Sequence, residues 1–450
     1  MASVARAHKL LQAMLLALVV ALAGWLATPP TAAAQDIGQD ALNYLETFAF
    51  KDSLHTWDDA KLFGAEMVSE RTREGFLPQG IMVPGGHLLL PSVGLATTYD
   101  DNIYLAPHGL QEGDLRYDVT PRIAFVSDLP RHMINVDLQG RFAGFASHPD
   151  LNYEDGSARL DWRLDIDAAD VIGGTASSNY GHEDRFYVAS PLNAAGPIPI
   201  WINRAAINYA HDAGRMALAT GLDWERTSFY DIHAYDGSLI DEQKGDSTLI
   251  DGWALLRYRM SPGYSAFLAG KAGHTTYVND RSRDGDNTSY RGETGLTWEA
   301  SPLLKVTVAG GYDYFDYDNP AVVDVGAVAF RGEITWLPTT QLTLRLEGRH
   351  NLSQTVLDPL LGFQGDVVSL HADYDVWHNV VLHGDASFEQ DAFLGSPRVD
   401  QLWSAGASLD YLMNPNVLFT FAYEHRTRES NDDSYDFDDN RFMAKVTLSE

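Results

Sequence analysis

Apolar and polar residues alternate at period two through most of this chain, in stretches of roughly 10 to 14 residues joined by turns. Leu342, Leu344 and Leu346 interleave with Thr343, Arg345, Glu347 and Arg349; Leu160, Trp162, Leu164 and Ile166 interleave with Asp161, Arg163 and Asp165. Successive side chains of a strand point to opposite faces, so each stretch offers one face to an apolar surrounding and one to water. After Gln35 no apolar run approaches the roughly 20 residues of a membrane helix. Strands cross a bilayer only where every backbone donor and acceptor is paired, which requires closure. The pattern predicts an all-β fold: a transmembrane, antiparallel, up-and-down β-barrel.

Tight-turn signals recur about every 40 residues, as expected for two strands and two connections of unequal length. They are Asp128-Leu129-Pro130, Asp167-Ala168-Ala169-Asp170, His211-Asp212-Ala213-Gly214, Ser261-Pro262-Gly263, Ser301-Pro302, Leu337-Pro338-Thr339, Trp377-His378-Asn379 and Asn414-Pro415-Asn416. Longer polar connections lie between them, at Tyr180 to Asn203, Asp231 to Asp246, Asn279 to Thr288 and Arg428 to Asp438. One strand on either side of each turn, with Leu88 to Tyr104 and Asn440 to Leu448 added, gives about 18 strands. About 16 is the alternative, if the weakly alternating Asn203 to His211 is loop. An even count returns both ends to one side, with tight turns in the periplasm and long connections outside. Barrels of this size enclose an aqueous channel unless a loop or terminal segment fills it.

The N-terminal region follows other rules. Arg6, His8 and Lys9 precede an apolar run from Leu10 to about Ala27 and then Ala32-Ala33-Ala34, the order of a secretory signal peptide over residues 1–34. A single anchoring helix is the alternative. Residues 35–86 lack the alternation. Asn43 to Ser69 could form short amphipathic helices before Pro78, Pro84 and Gly85-Gly86 break them, so this stretch is expected to be a periplasmic extension, with a pore plug or docking peptide as alternatives. Residues 87–450 are the barrel.

The chain has no cysteine, which removes disulfides and thiolate chemistry. Aromatics reach 11% and glycines number 38, as barrel walls favour. A mean hydropathy of -0.21 suits a barrel with a wet interior. The net charge of -30 is unevenly distributed. Candidate pore-lining positions carry both signs: Asp137, Arg141, Asp161, Arg163, Arg257, Arg259, Lys305, Arg345, Glu347, Arg349, Glu424 and Arg426. Acid gathers instead in expected outer loops, at Asp313, Asp316, Asp318, Asp432, Asp433, Asp436, Asp438 and Asp439. Such runs are commonly solvated loops; their functional reading is a cation-attracting vestibule, or Ca²⁺ or Mg²⁺ bridges to anionic glycolipid. No cofactor is expected beyond such ions, and no basic patch points to nucleic acid.

Catalytic signatures are missing: the sequence has no Gly-x-Ser-x-Gly elbow, His-Glu-x-x-His helix or P-loop. His182-Glu183-Asp184 reads as loop, Tyr423-Glu424-His425 splits its polar groups between two faces, and Asp284-Gly285-Asp286-Asn287 lacks the closing glutamate of a calcium loop. No catalytic residue is assigned, and the chain is not expected to be an enzyme.

At Leu88-Leu89-Leu90-Pro91-Ser92-Val93-Gly94 and above all at Tyr99-Asp100-Asp101-Asn102-Ile103-Tyr104, the chain resembles a family of outer-membrane β-barrel porins of Gram-negative bacteria. That family's opening strand reads Pro-Ser, six residues, then Tyr-Asp-Asp-Asn. Gly310-Gly311-Tyr312, Trp336-Leu337-Pro338-Thr339-Thr340 and Glu424-His425-Arg426 extend the resemblance over about residues 76 to 450. Physically the box is a strand end, with Tyr99 in an interfacial girdle, Asp100 and Asp101 entering a loop, and Asn102 bonding its own backbone in a turn. Phe442, Ala444, Val446 and Leu448 share a face and predict a last strand, although the sequence ends on Glu450 instead of the aromatic common in outer-membrane proteins. The resemblance implies an outer-membrane location. It also implies partners: membrane lipid and lipopolysaccharide, the barrel-insertion machinery and, since some members accompany capsule or exopolysaccharide clusters, periplasmic polysaccharide-export components. The expected function is that of a monomeric or trimeric passive channel for a carbohydrate polymer or small hydrophilic solutes. The competing reading is a closed structural or binding barrel that presents acidic loops.

Overall fold

The computed structural model describes residues 67, 68, 73, 75–183, 194–234, 236–278, 285–354 and 362–450. The expected signal peptide and most of the extension lie outside them. A short β1 (Ile81–Val83) turns through Gly85-Gly86 into β2 (His87–Asp100), and both glycines adopt the positive φ such a turn requires. The chain continues through β3 (Asp114–Val126), β4 (His132–Phe145), β5 (Tyr153–Asp165), β6 (Asp170–Glu183), β7 (Ile198–Asp212) and β8 (Met216–Phe229). A two-strand loop follows, β9 (Ile232–His233) and β10 (Leu239–Ile240). Next come β11 (Ser247–Ser261), β12 (Tyr264–Tyr277), β13 (Asn287–Ser301), β14 (Leu304–Tyr317), β15 (Val325–Thr339) and β16 (Leu342–Gln354). The last strands are β17 (Gly362–Trp377), β18 (Val380–Phe393), β19 (Val399–Asn414), β20 (Val417–Ser430) and β21 (Phe437–Ser449).

Each strand from β2 to β8 and from β11 to β21 pairs antiparallel with its neighbours, β8 pairs with β11, and β21 pairs back with β2. The result is a closed 18-strand barrel with one extra short strand. The expected count of 18 holds, and the 16-strand alternative fails because Asn203 to His211, which it took as loop, lies inside β7 and pairs on both sides. Two further expectations shift. Leu337-Pro338-Thr339 is still strand, where a bulge offsets the register between Trp336 and Thr339, and the turn comes one residue later. The Tyr180 to Asn203 connection is shorter than its sequence suggests, since β6 runs to Glu183 and β7 starts at Ile198.

Directly paired residues share a face, so the register sorts every side chain. Trp336 and Leu344, Ile334 and Leu346, and Leu346 and Leu370 pair on the outer face. Arg331 and Arg349, Glu333 and Glu347, and Thr335 and Arg345 pair on the inner one. Outward apolar groups stay open to the surroundings, Leu268 at 60% and Phe330 at 57% exposure. Outward aromatics form two belts: Tyr258, Tyr264, Trp298, Trp336, Tyr374 and Tyr411 near the tight turns, and Tyr99, Tyr117, Tyr290, Tyr312, Trp403 and Phe442 near the long loops. Amphipathic rings at two levels mark the two interfaces of a bilayer.

Three inward patches break the alternation. Ile198, Ile200, Ile202 and Phe229 pack with Ile232 of the β8–β11 loop. Ala219, Trp253, Leu255, Phe267 and Ala269 form a second group, where the Trp253 ring lies across Gly221 so closely that a Cβ there would sit 2.7 Å from it. The third group, Phe363, Phe393, Leu402 and Phe437, surrounds Leu105 from the β2–β3 loop.

The seam between first and last strands is where the Tyr-Asp-Asp-Asn box sits. Tyr99 points outward, as the girdle reading expects. Arg441 Nε donates to Asp100 Oδ2 at 3.0 Å, and Asn440 donates from its backbone and side-chain amides to the two Asp101 carboxylate oxygens at 2.7 and 2.8 Å. Asn102, fully buried, donates to the Ala106 and Asp438 carbonyls at 2.9 and 2.8 Å and accepts from Ala106 N–H at 2.8 Å. Asn102 does close a local turn. Beyond that, the box latches β2 to β21, over 300 residues away.

Two outcomes follow from this geometry. Arginine in place of Leu346, outward and mid-strand, should cost about 2–4 kcal/mol in lipid, whereas Arg345→Gln on the inner face should cost far less; the folded fraction in vesicles, read from heat-modifiable gel mobility, measures both. Asn102→Ala removes three side-chain bonds to partly buried backbone groups and should lower unfolding stability by about 1–3 kcal/mol, while Tyr99→Phe leaves it unchanged, as guanidinium titrations of tryptophan fluorescence would record.

Candidate functional site

The inner wall is the candidate site, and its chemistry is ionic. The register puts Asp137 and Arg141 of β4, Asp161 and Arg163 of β5, Arg257 and Arg259 of β11, and Lys305 of β14 on the inward face. Arg345, Glu347 and Arg349 of β16 and Glu424 and Arg426 of β20 share it. These twelve positions therefore occupy one side of one continuous sheet.

Most of their charge is answered within the wall. Asp137 accepts from Arg122 Nε at 2.8 Å, Asp161 from Arg159 at 2.8 and 2.6 Å, and Asp165 from Arg163 at 2.6 Å. Arg141 donates to Asp118 at 2.9 Å and lies over the Tyr153 ring. Arg259 reaches Asp212 and the Gly214 carbonyl, each at 2.7 Å, beside a tight turn. Sequence reading missed several equivalent pairs on the same face: Arg291 with Asp313 at 2.6 and 2.8 Å, Arg331 with Glu293 at 2.6 Å, and Arg204 with Glu225 at 2.5 Å. The period-two parity of these strands would have revealed the face, but only the register reveals the partner. The more open of these pairs, such as Arg163 with Asp165, contribute about 0–1 kcal/mol each. Their effect is on the wall's shape, because they hold long side chains flat against the sheet.

The eight acids expected in outer loops divide in two. Asp318, Asp432, Asp433 and Asp436 do lie in loops at the long-loop end. Asp313, Asp316, Asp438 and Asp439 lie in strands instead. Asp313 and Asp439 are buried and inward: Asp439 accepts from Arg426 at 2.6 Å and Arg441 at 3.1 Å, continuing the seam network inward. Tyr312 to Tyr317 mixes aromatics with acids and Phe437 to Asn440 is mostly polar, so both read as loop while each acid in fact has a strand position. Of the loop acids, Asp432 caps its own turn by accepting from Ser434 N–H and Oγ, which holds its carboxyl below the ordinary range. Asp436 accepts from Ser430 N–H at 2.7 Å.

The long-loop end is partly roofed. Leu105 is the only non-glycine residue with positive φ among the described residues, and its side chain is buried against four inward side chains of β17 to β21. Left-handed backbone costs a non-glycine residue roughly 1–2 kcal/mol, offset here by that burial and by the Asn102 turn. Nearby, Arg398 stacks over the Tyr435 ring with its carbon 3.4 Å from the centroid, and pairs with Asp400. On the β4–β5 loop, His148 bonds Asp114 and Glu112, each at 2.9 Å, and these two carboxylates raise the imidazole above its ordinary pKa. At the tight-turn end, two described residues before β1 reach the inner wall: Arg73 pairs with Asp375 at 2.7 Å, and Val68 N–H donates to Thr343 Oγ1 at 3.0 Å. Those described residues of the expected extension thus touch the inner wall; the rest of it lies outside the described residues.

The sequence matches the family described as "Putative beta-barrel porin 2" over residues 74–450. No curated protein sequence matches it. Solved structures similar in outline include OccK3 (OpdO) of Pseudomonas aeruginosa, 13% identical over 80% of this chain and 96% of that one, with a TM-score of 0.43. OccAB4 of Acinetobacter baumannii is 12% identical over 82% and 100%, with a TM-score of 0.45. A BenF-like porin of Pseudomonas fluorescens Pf-5 is 11% identical over 84% and 100%, also at 0.45. Similarity this low carries nothing of those proteins' cargo to this chain. The family match spans the whole closed barrel, its opening box and its seam, and the chain belongs to this family of β-barrel porins.

Proposed function

We propose that this protein is a passive, non-enzymatic channel for small hydrophilic solutes across the outer membrane of a Gram-negative bacterium, with its tight turns in the periplasm. The observation that carries this reading is the inward face: a closed ring of 18 strands lined by charged side chains that bond one another along the wall. A barrel of this circumference holds water unless something fills it. Carbohydrate-polymer export has only the family resemblance behind it. Inward aromatics that a sugar chain would stack on, such as Trp253, Phe267, Phe363 and Phe393, are buried against their neighbours. Membrane lipid, lipopolysaccharide and the insertion machinery are the partners this reading implies, and the exposed acids Asp318, Asp432 and Asp433 support Ca²⁺ or Mg²⁺ bridges to lipopolysaccharide as a part of it.

A second reading, a closed barrel without transport, draws on two inward intrusions: the Leu105 loop at one end and Met67, Val68 and Arg73 at the other. Planar-bilayer recording separates the two. A channel gives discrete conductance steps that grow larger in Leu105→Gly, which keeps the backbone turn but removes the inward side chain; a closed barrel gives no steps in either protein.

The acids of the long-loop end generate a further expectation. With a net charge of -30 and exposed Asp316, Asp318, Asp432 and Asp433 at that mouth, reversal potentials should show cation preference at low salt that fades toward 1 M, where screening shortens to about 3 Å. Changing those four aspartates to asparagine should reduce the preference. Anion preference in the parent protein would overturn this assignment.

A further inference from the structure

Along most of the wall, aspartates and glutamates are answered by arginine. At one place on β17 and β18 the answering groups are imidazoles instead. His371-Ala372-Asp373 and His383-Gly384-Asp385 put the same His-x-Asp triplet on two adjacent antiparallel strands, in a register that sets His371 against Asp385 and Asp373 against His383. A two-by-two checkerboard of imidazoles and carboxylates results, facing inward near the tight-turn end. Asp410 of β19 stands beside it, its carboxylate 3.7 Å from His383 Nε2.

The nitrogens and oxygens divide by role. Asp373 Oδ1 lies 3.0 Å from His371 Nε2 and 2.6 Å from His383 Nδ1. The ligand atoms of the three residues lie within 4.8 Å of one another. Each imidazole turns its other nitrogen to a separate carboxylate: His371 Nδ1 to Asp385 and His383 Nε2 to Asp410. That is how metal-binding histidines are oriented, with a second carboxylate fixing the tautomer and raising the basicity of the ligating nitrogen. Asp373 is 1% exposed, and its Oδ2 is buried with no hydrogen-bond partner. An orphaned carboxylate oxygen in such a place costs free energy unless a cation meets it. The two imidazoles remain partly open to the interior, which leaves an ion both a path in and free coordination positions. Arg345, opposite His371 in the register, directs its guanidinium at the Met67 sulfur, 3.5 Å away.

We propose that His371, His383 and Asp373 bind one divalent transition-metal ion at the tight-turn end of the interior, with Asp385 and Asp410 as positioning residues. Three carboxylates and two neutral imidazoles carry a net negative charge that suits a dication. A set of two nitrogens and one oxygen selects Zn²⁺, Cu²⁺, Ni²⁺ or Co²⁺ over Ca²⁺ and Mg²⁺, which take oxygen ligands. Tetrahedral bonds of about 2.0–2.1 Å put ligand atoms about 3.3 Å apart, so the His383–Asp373 spacing must open by several tenths of an ångström. The inference does not depend on whether the barrel conducts.

The test uses the mature chain without an affinity tag, folded in detergent or lipid. Equilibrium dialysis against Zn²⁺ should give one tight equivalent per chain, lost in His383→Gln and in Asp373→Asn, kept in His148→Gln, and weakened about 10- to 100-fold in Asp410→Asn. Heat-modifiable mobility establishes that each variant is folded. Because Asp373→Asn could disturb the wall, Cu²⁺ added to the unaltered chain provides a second reading: its electron paramagnetic resonance spectrum should carry hyperfine structure from two imidazole nitrogens. Uptake by His383→Gln equal to that of the parent, failure of the parent to take up a stoichiometric ion, or a Cu²⁺ spectrum lacking two nitrogens would each overturn the assignment.

Discussion

Closure of the sheet is the constraint on which the rest of this molecule depends. In hydrocarbon an unpaired backbone amide costs several kcal/mol, so a barrel left open along one line would expose a whole row of them. Seventeen of the eighteen strand junctions join sequence neighbours or span only a loop, and form as hairpins. The remaining one, β2 with β21, brings together residues more than 300 positions apart, and joining the ends of a flexible chain that long costs about 5 kcal/mol of entropy by the logarithmic rule. Nine paired positions from Ser92 with Ser449 to Asp100 with Arg441 supply the backbone ladder. The aspartates and asparagine of the opening box add side-chain bonds at the point where the ladder ends.

Closure also sets the electrostatics of the interior. Once the sheet is a ring, inward side chains converge, and the charges on them must be paired, hydrated or buried. Near the middle of the wall the pairs are half-exposed and individually weak, such as Arg122 with Asp137. Toward the long-loop end there are buried ones, as in Arg426 with Asp439 beside the seam, where losing one partner would leave the other uncompensated and cost about 3–5 kcal/mol. The same ring holds three inward apolar patches that a uniform wet lumen would not require, and two of them receive residues from loops. The interior is thus a polar wall with fixed apolar seats, and the seats decide where loops narrow it.

Much of this was legible in the sequence because strand alternation and turn chemistry are local properties. Period two in Leu342 to Arg349 fixes which residues share a face, and Pro, Asn and Gly at the turns fix where strands reverse, so fold class, the strand number of about eighteen and the inward parity of Asp137, Arg257 or Arg345 need no knowledge of neighbours. Where local chemistry is ambiguous the sequence leaves alternatives open or misleads. Asn203 to His211 alternates weakly yet is strand, because β6 and β8 pair with it; Asp313 and Asp439 sit in acidic runs yet are buried, because Arg291 and Arg426 stand across from them. What only the tertiary structure decided is everything that depends on register and closure: that the Tyr99 to Asn102 box is a latch, that Leu105 folds inward, and that two His-x-Asp triplets meet as a checkerboard. A strand's sequence specifies its two faces, while the partner opposite each residue is set by how neighbouring strands align and where the ring closes.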